Sequence, residues 1–209
     1  PKIVSLYLTH LSKNSKISTL RRRLVSIGMV HKLKGYYLDT KHPIIVENLM
    51  GIKRVKGSIQ KGKKPMLIND LKAIINVINE YKLNDIKKLR DKTIMLIGFG
   101  GGFRRSELIS IDYEDLEFVT EGVKIIIKRS KTDQFGEGMI KGLPYFTNEH
   151  YCPVIHLKKW LEISKIKSGP IFRRFNKGLS LTDKRLTDQS VVLLMKEYLN
   201  LAGIENKDF

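Results

Sequence analysis

Residues 98–115 read GFGGGFRRSELISIDYED, and the rest of the chain is interpreted outward from this stretch. It follows the apolar run at residues 94–97, which a packed helix would bury. Glycines allow a sharp turn with positive φ and the close approach of another backbone. An arginine held just after such a turn can reach a phosphate with its planar guanidinium. The local sequence is equally compatible with a surface Arg104 on the first turn of a helix, paired with Glu107.

The glycine cluster is not a nucleotide-binding loop. It follows a predicted helix rather than a strand, and it lacks both the Gly-x-Gly-x-x-Gly spacing and a following Lys-Ser/Thr.

The charge of the chain favours a polyanionic partner. Its 209 residues suffice for one large domain or two small ones, and 39 Lys+Arg against 21 Asp+Glu give a net charge of +18. Hydrophobic residues make up 42%, which predicts a packed core and excludes wholesale disorder. An RNA-binding protein and a merely basic soluble protein remain open on this observation. The basic residues are spread along the chain, which argues against a disordered polybasic arm.

Cysteine usage and hydropathy indicate a cytoplasmic protein. Cys152 is the single cysteine, so no internal disulfide can form and a reducing compartment fits. No apolar run approaches the roughly 20 residues that a membrane span needs, and the N-terminus does not resemble a signal peptide. We therefore expect no membrane partner.

Residues 1–56 are predicted to form a helical domain. Val4, Tyr7, Leu8 and Leu11 share a face of its first helix. A second helix is expected over residues 20–34, capped by Ser18 or Thr19 and with Val30 facing inward, and a third over residues 44–55. Four arginines of these helices are candidate phosphate contacts: Arg21, Arg22, Arg23 and Arg54. The three at the start of the second helix oppose its dipole, which a bound anion would relieve; a solvated charge cluster is the equal alternative.

Residues 57–66 are predicted to be a basic linker between two domains. Gly57, Gly62 and Pro65 interrupt the periodicity. The lysines Lys61, Lys63 and Lys64 could lie along a phosphate backbone or simply be solvated.

Residues 67–209 are predicted to form a larger, mainly helical domain with a small antiparallel β-sheet, an α+β fold overall. Asn69 or Asp70 is expected to cap one helix and Asn84 the next. Alternating segments at residues 117–119, 123–127 and 139–145 predict an antiparallel meander. Helices are expected from Pro153 to about Ser164 and over residues 189–202, with a short buried strand or turn at residues 169–173.

No metal site is predicted. His150, Cys152 and His156 are close in sequence, but their spacing matches no zinc pattern and a fourth ligand is lacking.

Two motifs resemble those of the tyrosine recombinases, the phage-type integrases. The stretch GFRRSELISI at residues 102–111, followed by Asp112 and Asp115, is similar to the first conserved box of that family. Downstream, IIIKRSKTDQ at residues 125–134 stands where the family has a hairpin lysine. The resemblance implies a two-domain DNA clamp, with a partial helical core-binding domain at residues 1–56 and the N-terminal part of a catalytic domain at residues 67–209.

The resemblance also implies roles for particular residues. Arg104 would neutralise charge on the phosphorane during attack by a tyrosine on DNA, and Glu107 would be a supporting carboxylate. Lys131 would sit at a hairpin tip and protonate the leaving oxygen; a solvent-exposed lysine without a role is the alternative. Arg129 is a further DNA-binding candidate. Because a 3′-phosphotyrosine keeps the energy for rejoining, neither metal, ATP nor another cofactor is implied. The implied partners are duplex DNA and, in an intact recombinase, further copies in a tetramer.

The family's second box is not found in these residues. None of the five histidines begins a His-x-x-Arg sequence, and Tyr198 lies on an apolar helical stripe rather than in a nucleophile's context. We therefore expect the chain to be incomplete at both ends and inactive alone. It would be a fragment of a site-specific DNA recombinase or, alternatively, a non-catalytic DNA-binding remnant of a decayed integrase gene.

Overall fold

The computed structural model describes residues 1–57, 62, 64–82, 84–128 and 138–205. The chain divides into two compact units, residues 1–62 and residues 63–209. Each has its own hydrophobic core.

The first unit consists of three helices: α1 (Lys2–Ser12), α2 (Ile17–Leu33) and α3 (Pro43–Lys56). Six buried side chains form its core: Leu8, Ile17, Leu20, Leu24, Ile45 and Ile52. The predicted start of α2 was wrong. The helix begins at Ile17 because Ile17 joins the core, and neither Ser18 nor Thr19 is its N-cap. Val30, predicted to face inward, is exposed, and so is Tyr7, which was predicted to share a face with Leu8.

The second unit contains five α-helices among its described residues: α4 (Ile68–Glu80), α5 (Asp85–Gly100), α6 (Arg105–Ser110), α7 (Pro153–Ser164) and α8 (Asp188–Leu201). Asn84 caps α5, as predicted, by accepting the Ile86 N–H at 2.9 Å. The predicted cap of α4 was wrong. Asp70 lies inside the first turn, and its carboxylate reaches back to the Leu67 N–H at 2.9 Å.

The predicted antiparallel meander is confirmed. Strands β1 (Leu116–Val119), β2 (Gly122–Ile127) and β3 (Met139–Pro144) pair in that order, with Ile125 opposite Leu116 on one side and Lys141 on the other. A second sheet was not predicted. It pairs β4 (Arg173–Phe175) with β5 (Leu181–Arg185), two short strands with one apolar residue each, Phe175 and Leu181, partly buried against the core.

The core of the second unit fixes the position of α5. Trp160 is fully buried on α7, and its indole N–H donates to the Ile171 carbonyl at 2.8 Å. Residues 94–97 of α5 are all buried in the same core. Consequently the glycine-rich turn directly follows a segment of α5 that is anchored in the core. The fold is mainly helical with small antiparallel sheets, as predicted.

None of the helices in the described part of the chain is long and apolar enough to cross a membrane.

Candidate functional site

The turn after α5 requires its glycines. The helix ends at Gly100, and the Phe103 N–H returns to the Gly98 carbonyl at 3.2 Å. Gly102 has φ +54°, a conformation that residues with a Cβ rarely adopt. A Cβ on Gly101 would collide with the ring of Phe103. The turn therefore delivers the chain to Arg104 in one fixed direction.

Arg104 is fixed at both its backbone and its side chain by Glu107. The Arg104 N–H donates to Glu107 Oε2 at 3.0 Å, and Arg104 Nη1 donates to Oε1 at 2.7 Å. The Glu107 side chain is only 3% exposed, whereas that of Arg104 is 46% exposed. The pairing with Glu107 is therefore observed, and contact with a phosphate stays a prediction. Arg104 is paired on the first turn of α6, and its guanidinium remains accessible from solvent.

Lys141 completes this cluster, and the sequence analysis did not predict it as a site residue. Its Nζ donates to the carbonyls of Gly101 and Gly102 at 3.1 Å each and lies 3.7 Å from Glu107 Oε2. The ammonium also sits 4.5 Å from the centre of the Phe103 ring, a cation–π contact. The strand period offered a signal, because Lys141 shares a face of β3 with buried Leu143.

A second cluster joins the loop after α6 to the end of β2. Lys128 Nζ lies 2.8 Å from Asp115 Oδ1 and 3.5 Å from Asp112 Oδ2. The hydrogen bond to Asp115 raises the pKa of Lys128, and the charges of both aspartates act in the same direction. Arg185 reaches Asp112 Oδ1 at 2.5 Å and the Ile109 carbonyl at 2.6 Å. Lys128, which directly follows β2, is therefore joined by ion pairs to the segment that follows Arg104.

The predicted site residues are only partly within the described structure. Lys131, Arg129, Lys61 and Lys63 lie outside the described residues. Of the rest, Arg104 and Glu107 are in contact, while the other five are exposed: Arg21, Arg22, Arg23, Arg54 and Lys64. The four arginines belong to the first unit, where Arg54 is on α3 and the others are on α2.

Tyr198 lies in the core of the second unit. It is fully buried on α8, and its hydroxyl donates to Asp91 Oδ2 at 2.7 Å. Burial and the negative charge of Asp91 raise the pKa of Tyr198. A phenol held this way is a poor nucleophile.

No group of three His, Cys, Asp or Glu side chains that could hold a metal ion is found in the described ranges. His156 is engaged by the backbone, since its Nδ1 lies 3.0 Å from the Cys152 carbonyl oxygen.

Comparison with known proteins places the chain in a family. The sequence profile of the phage integrase family matches residues 65–209. An integrase/recombinase XerD homologue of Selenomonas ruminantium is 38% identical over 212 residues, which span 100% of this chain and 61% of the relative. Tyrosine recombinase XerC of Staphylococcus aureus is 30% identical over 156 residues, or 71% of this chain and 46% of the relative. The chain thus spans less than two thirds of the length of either relative.

A solved structure shares the fold. XerH site-specific recombinase, in a post-cleavage complex with a palindromic difH substrate, superposes with a TM-score of 0.68. The two sequences are 15% identical, and the superposition covers 98% of this chain and 56% of the XerH chain. Because the matching profile covers more than half of the chain and includes the turn that carries Arg104, the chain belongs to the phage integrase family of tyrosine recombinases.

Proposed function

We propose that these residues are part of a site-specific DNA recombinase, which cleaves and rejoins DNA strands through a phosphotyrosine intermediate. In this function Arg104 binds the scissile phosphate. The observation that carries the proposal is the accessible guanidinium of Arg104, fixed by the buried carboxylate of Glu107. The names of the relatives support it, since they are recombinases and XerH is described on its DNA substrate.

The charges of the cluster suit a phosphate. Arg104 and Lys141 share one buried carboxylate, Glu107, so the three side chains together carry one net positive charge. Phosphoryl transfer depends mainly on such charges being in place before the reaction, because they need not reorganise as the negative charge develops. The fixed position of Arg104 against Glu107, beside the ammonium of Lys141, supports this assignment.

The chemistry needs further groups. A tyrosine hydroxyl attacks the phosphorus, a 3′-phosphotyrosine bond forms, and the 5′-oxygen leaves with a proton that we assign to Lys131. Rejoining reverses these steps, so ATP and metal are not required. Tyr198 does not serve as nucleophile, because its hydroxyl is buried against Asp91. We therefore propose that these 209 residues do not cleave DNA by themselves.

The proposed partner is duplex DNA. Arg129 and the basic residues of the first unit and linker are the proposed backbone contacts: Arg21, Arg22, Arg23, Arg54, Lys61, Lys63 and Lys64. By the family resemblance the intact recombinase would assemble as a tetramer on DNA in the bacterial cytoplasm, at the nucleoid.

The test requires the gene's downstream reading frame. If that frame encodes a His-x-x-Arg sequence and then a tyrosine, the longer protein should form a covalent adduct on a nicked suicide duplex. An early stop would instead favour the non-catalytic DNA-binding remnant.

Within the longer protein, Arg104→Ala should abolish the adduct, because a neutral side chain cannot offset phosphorane charge. Duplex binding should change little, since one phosphate contact among many contributes little to affinity. Arg105→Ala is the matched control. It removes the same charge one residue away, and adduct formation should persist. Adduct formation by Arg104→Ala at the unsubstituted rate would refute the assignment.

A further inference from the structure

A pocket of about 410 Å³ lies in the second unit, away from the Arg104 cluster. It is bounded by the end of α4, the first turns of α5 and one face of α7. Its polar lining consists of Asn79, Asp85, Lys88, Lys92, His156 and Lys159. At a rise of about 1.5 Å per residue, roughly 18 Å of α5 separates Lys88 from Gly100. The pocket is therefore distinct from the proposed phosphate site at Arg104.

The cations of this pocket are not neutralised by the protein around them. Lys92 is only 7% exposed, and its Nζ has a neutral partner, the Asn79 amide oxygen at 3.4 Å. Lys88 Nζ donates to the Asn79 backbone carbonyl at 3.2 Å. Among the described residues, no carboxylate lies within 4.0 Å of the ammonium of Lys88, Lys92 or Lys159. A buried ammonium without a counter-charge is costly, and an anion would reduce the cost.

Burial, and secondarily the neighbouring positive charges, shift the ionisation of the pocket side chains. Burial lowers the pKa of Lys92, and the charge of Lys159 lowers it further. Burial likewise lowers the pKa of His156 to about 4, and Lys92, His150 and Lys159 act in the same direction. The lining also contains one carboxylate, that of Asp85, which forms no ion pair with Lys88, Lys92 or Lys159 among the described residues.

We propose that this pocket binds a phosphate group, held by Lys88, Lys92 and Lys159. The first residues of α5 line the same space, so the positive end of a 16-residue helix dipole adds to the attraction. The phosphate can come from a nucleic-acid backbone or from a free phosphate or small phosphorylated molecule. The site does not depend on the strand-cleavage proposal, because it involves neither Arg104 nor an attacking tyrosine.

His156 supplies a reporter for the bound anion. The imidazole is neutral near pH 7, and its Nδ1–H donates to the Cys152 carbonyl, so Nε2 carries the lone pair. An anion beside the ring would stabilise the imidazolium form and raise the pKa of His156. A phosphate that bound elsewhere on this basic chain would leave that pKa unchanged.

The experiment is an NMR titration of the full 209-residue chain with inorganic phosphate at constant ionic strength. We expect a saturable shift of the His156 ring signals and a raised His156 pKa. Lys92→Met should weaken phosphate binding by roughly ten-fold, the loss expected for one charge-assisted contact. Lys159→Glu should weaken it at least as much, and because Lys159 is exposed this variant should fold normally. Lys177→Met is the control, since it removes an exposed lysine outside the pocket and should leave the titration unchanged.

A second titration distinguishes the two sources. If a short duplex displaces phosphate and itself raises the His156 pKa, the natural ligand is a DNA backbone phosphate. If phosphate binds equally well to the chain saturated with duplex, the ligand is a free phosphate. Either result supports the site. The absence of a saturable His156 response, or a response that survives both Lys92→Met and Lys159→Glu, would overturn it.

Discussion

Glu107 is the residue on which the Arg104 cluster depends. It is 3% exposed and accepts from the Arg104 backbone and guanidinium, with Lys141 Nζ 3.7 Å away. Glu107→Gln keeps the shape and one acceptor oxygen but removes the charge that both cations face. We expect the second unit to lose about 1–3 kcal/mol of unfolding free energy, the cost of leaving buried polar partners incompletely satisfied. Urea denaturation followed by circular dichroism measures this loss.

Glu117→Gln is the matched control, because Glu117 also pairs with a lysine, Lys124 at 2.9 Å, but is 58% exposed. Exposed ion pairs contribute little, so its unfolding free energy should change by less than about 0.5 kcal/mol. Equal effects of the two substitutions would mean that Glu107 does not anchor the cluster.

Helix α5 is the element that joins the Arg104 turn to the rest of the second unit. Its buried Asp91 accepts from Arg90 Nε at 2.8 Å and from the Tyr198 hydroxyl of α8 at 2.7 Å. Arg90 Nη1 in turn donates to the Arg173 carbonyl at 3.0 Å, which ties α5 to β4. Tyr198→Phe should lower the unfolding free energy by about 1–2 kcal/mol, because Asp91 loses a hydrogen bond in a site without water access. Thermal and urea unfolding measure the change.

Tyr113→Phe serves as the control for this element, since Tyr113 is partly exposed and the same hydroxyl is removed. Its stability should stay within about 0.5 kcal/mol of the unsubstituted chain. A Tyr198→Phe variant as stable as this control would show that the hydrogen bond between Tyr198 and Asp91 makes no net contribution to the unfolding free energy.

The net charge of +18 governs the behaviour of the whole molecule towards polyanions. We expect weak binding to duplex DNA with little sequence preference and a steep fall in affinity as salt rises, because each neutralised phosphate releases counterions. Fluorescence anisotropy over a salt series measures the slope. Replacing Arg21, Arg22 and Arg23 by Gln should reduce that slope by roughly 0.9 per lost phosphate contact.

Replacing Lys165, Lys167 and Lys177 by Gln is the control, because it removes the same charge from exposed positions of the second unit. It distinguishes an effect of specific arginine–phosphate contacts from an effect of overall charge. If both triple variants behaved alike, the α2 arginines would be a solvated cluster. Preference for structured RNA over duplex DNA in the same assay would contradict the proposed partner.

The sequence by itself determined features that depend on residues close together in the chain. The cap at Asn84, the alternation of Val123, Ile125 and Ile127, and the pairing of Arg104 with Glu107 all lie within a few residues. Such features follow from local hydrogen bonding and from the strand and helix periods, which can be read directly from the order of the residues. The same local box carried the family resemblance.

Only the tertiary structure decided the rest. Lys141 reaches Gly101 from 40 residues away, Arg185 reaches Asp112 from 73, and Tyr198 reaches Asp91 from 107. The start of α2 was set by burial of Ile17, and β4 and β5 pair without an apolar period that could have marked them. The lysine pocket likewise exists only because α4, α5 and α7 pack together. Such contacts form when distant segments share one core, and a local pattern does not specify which side chains that packing brings together.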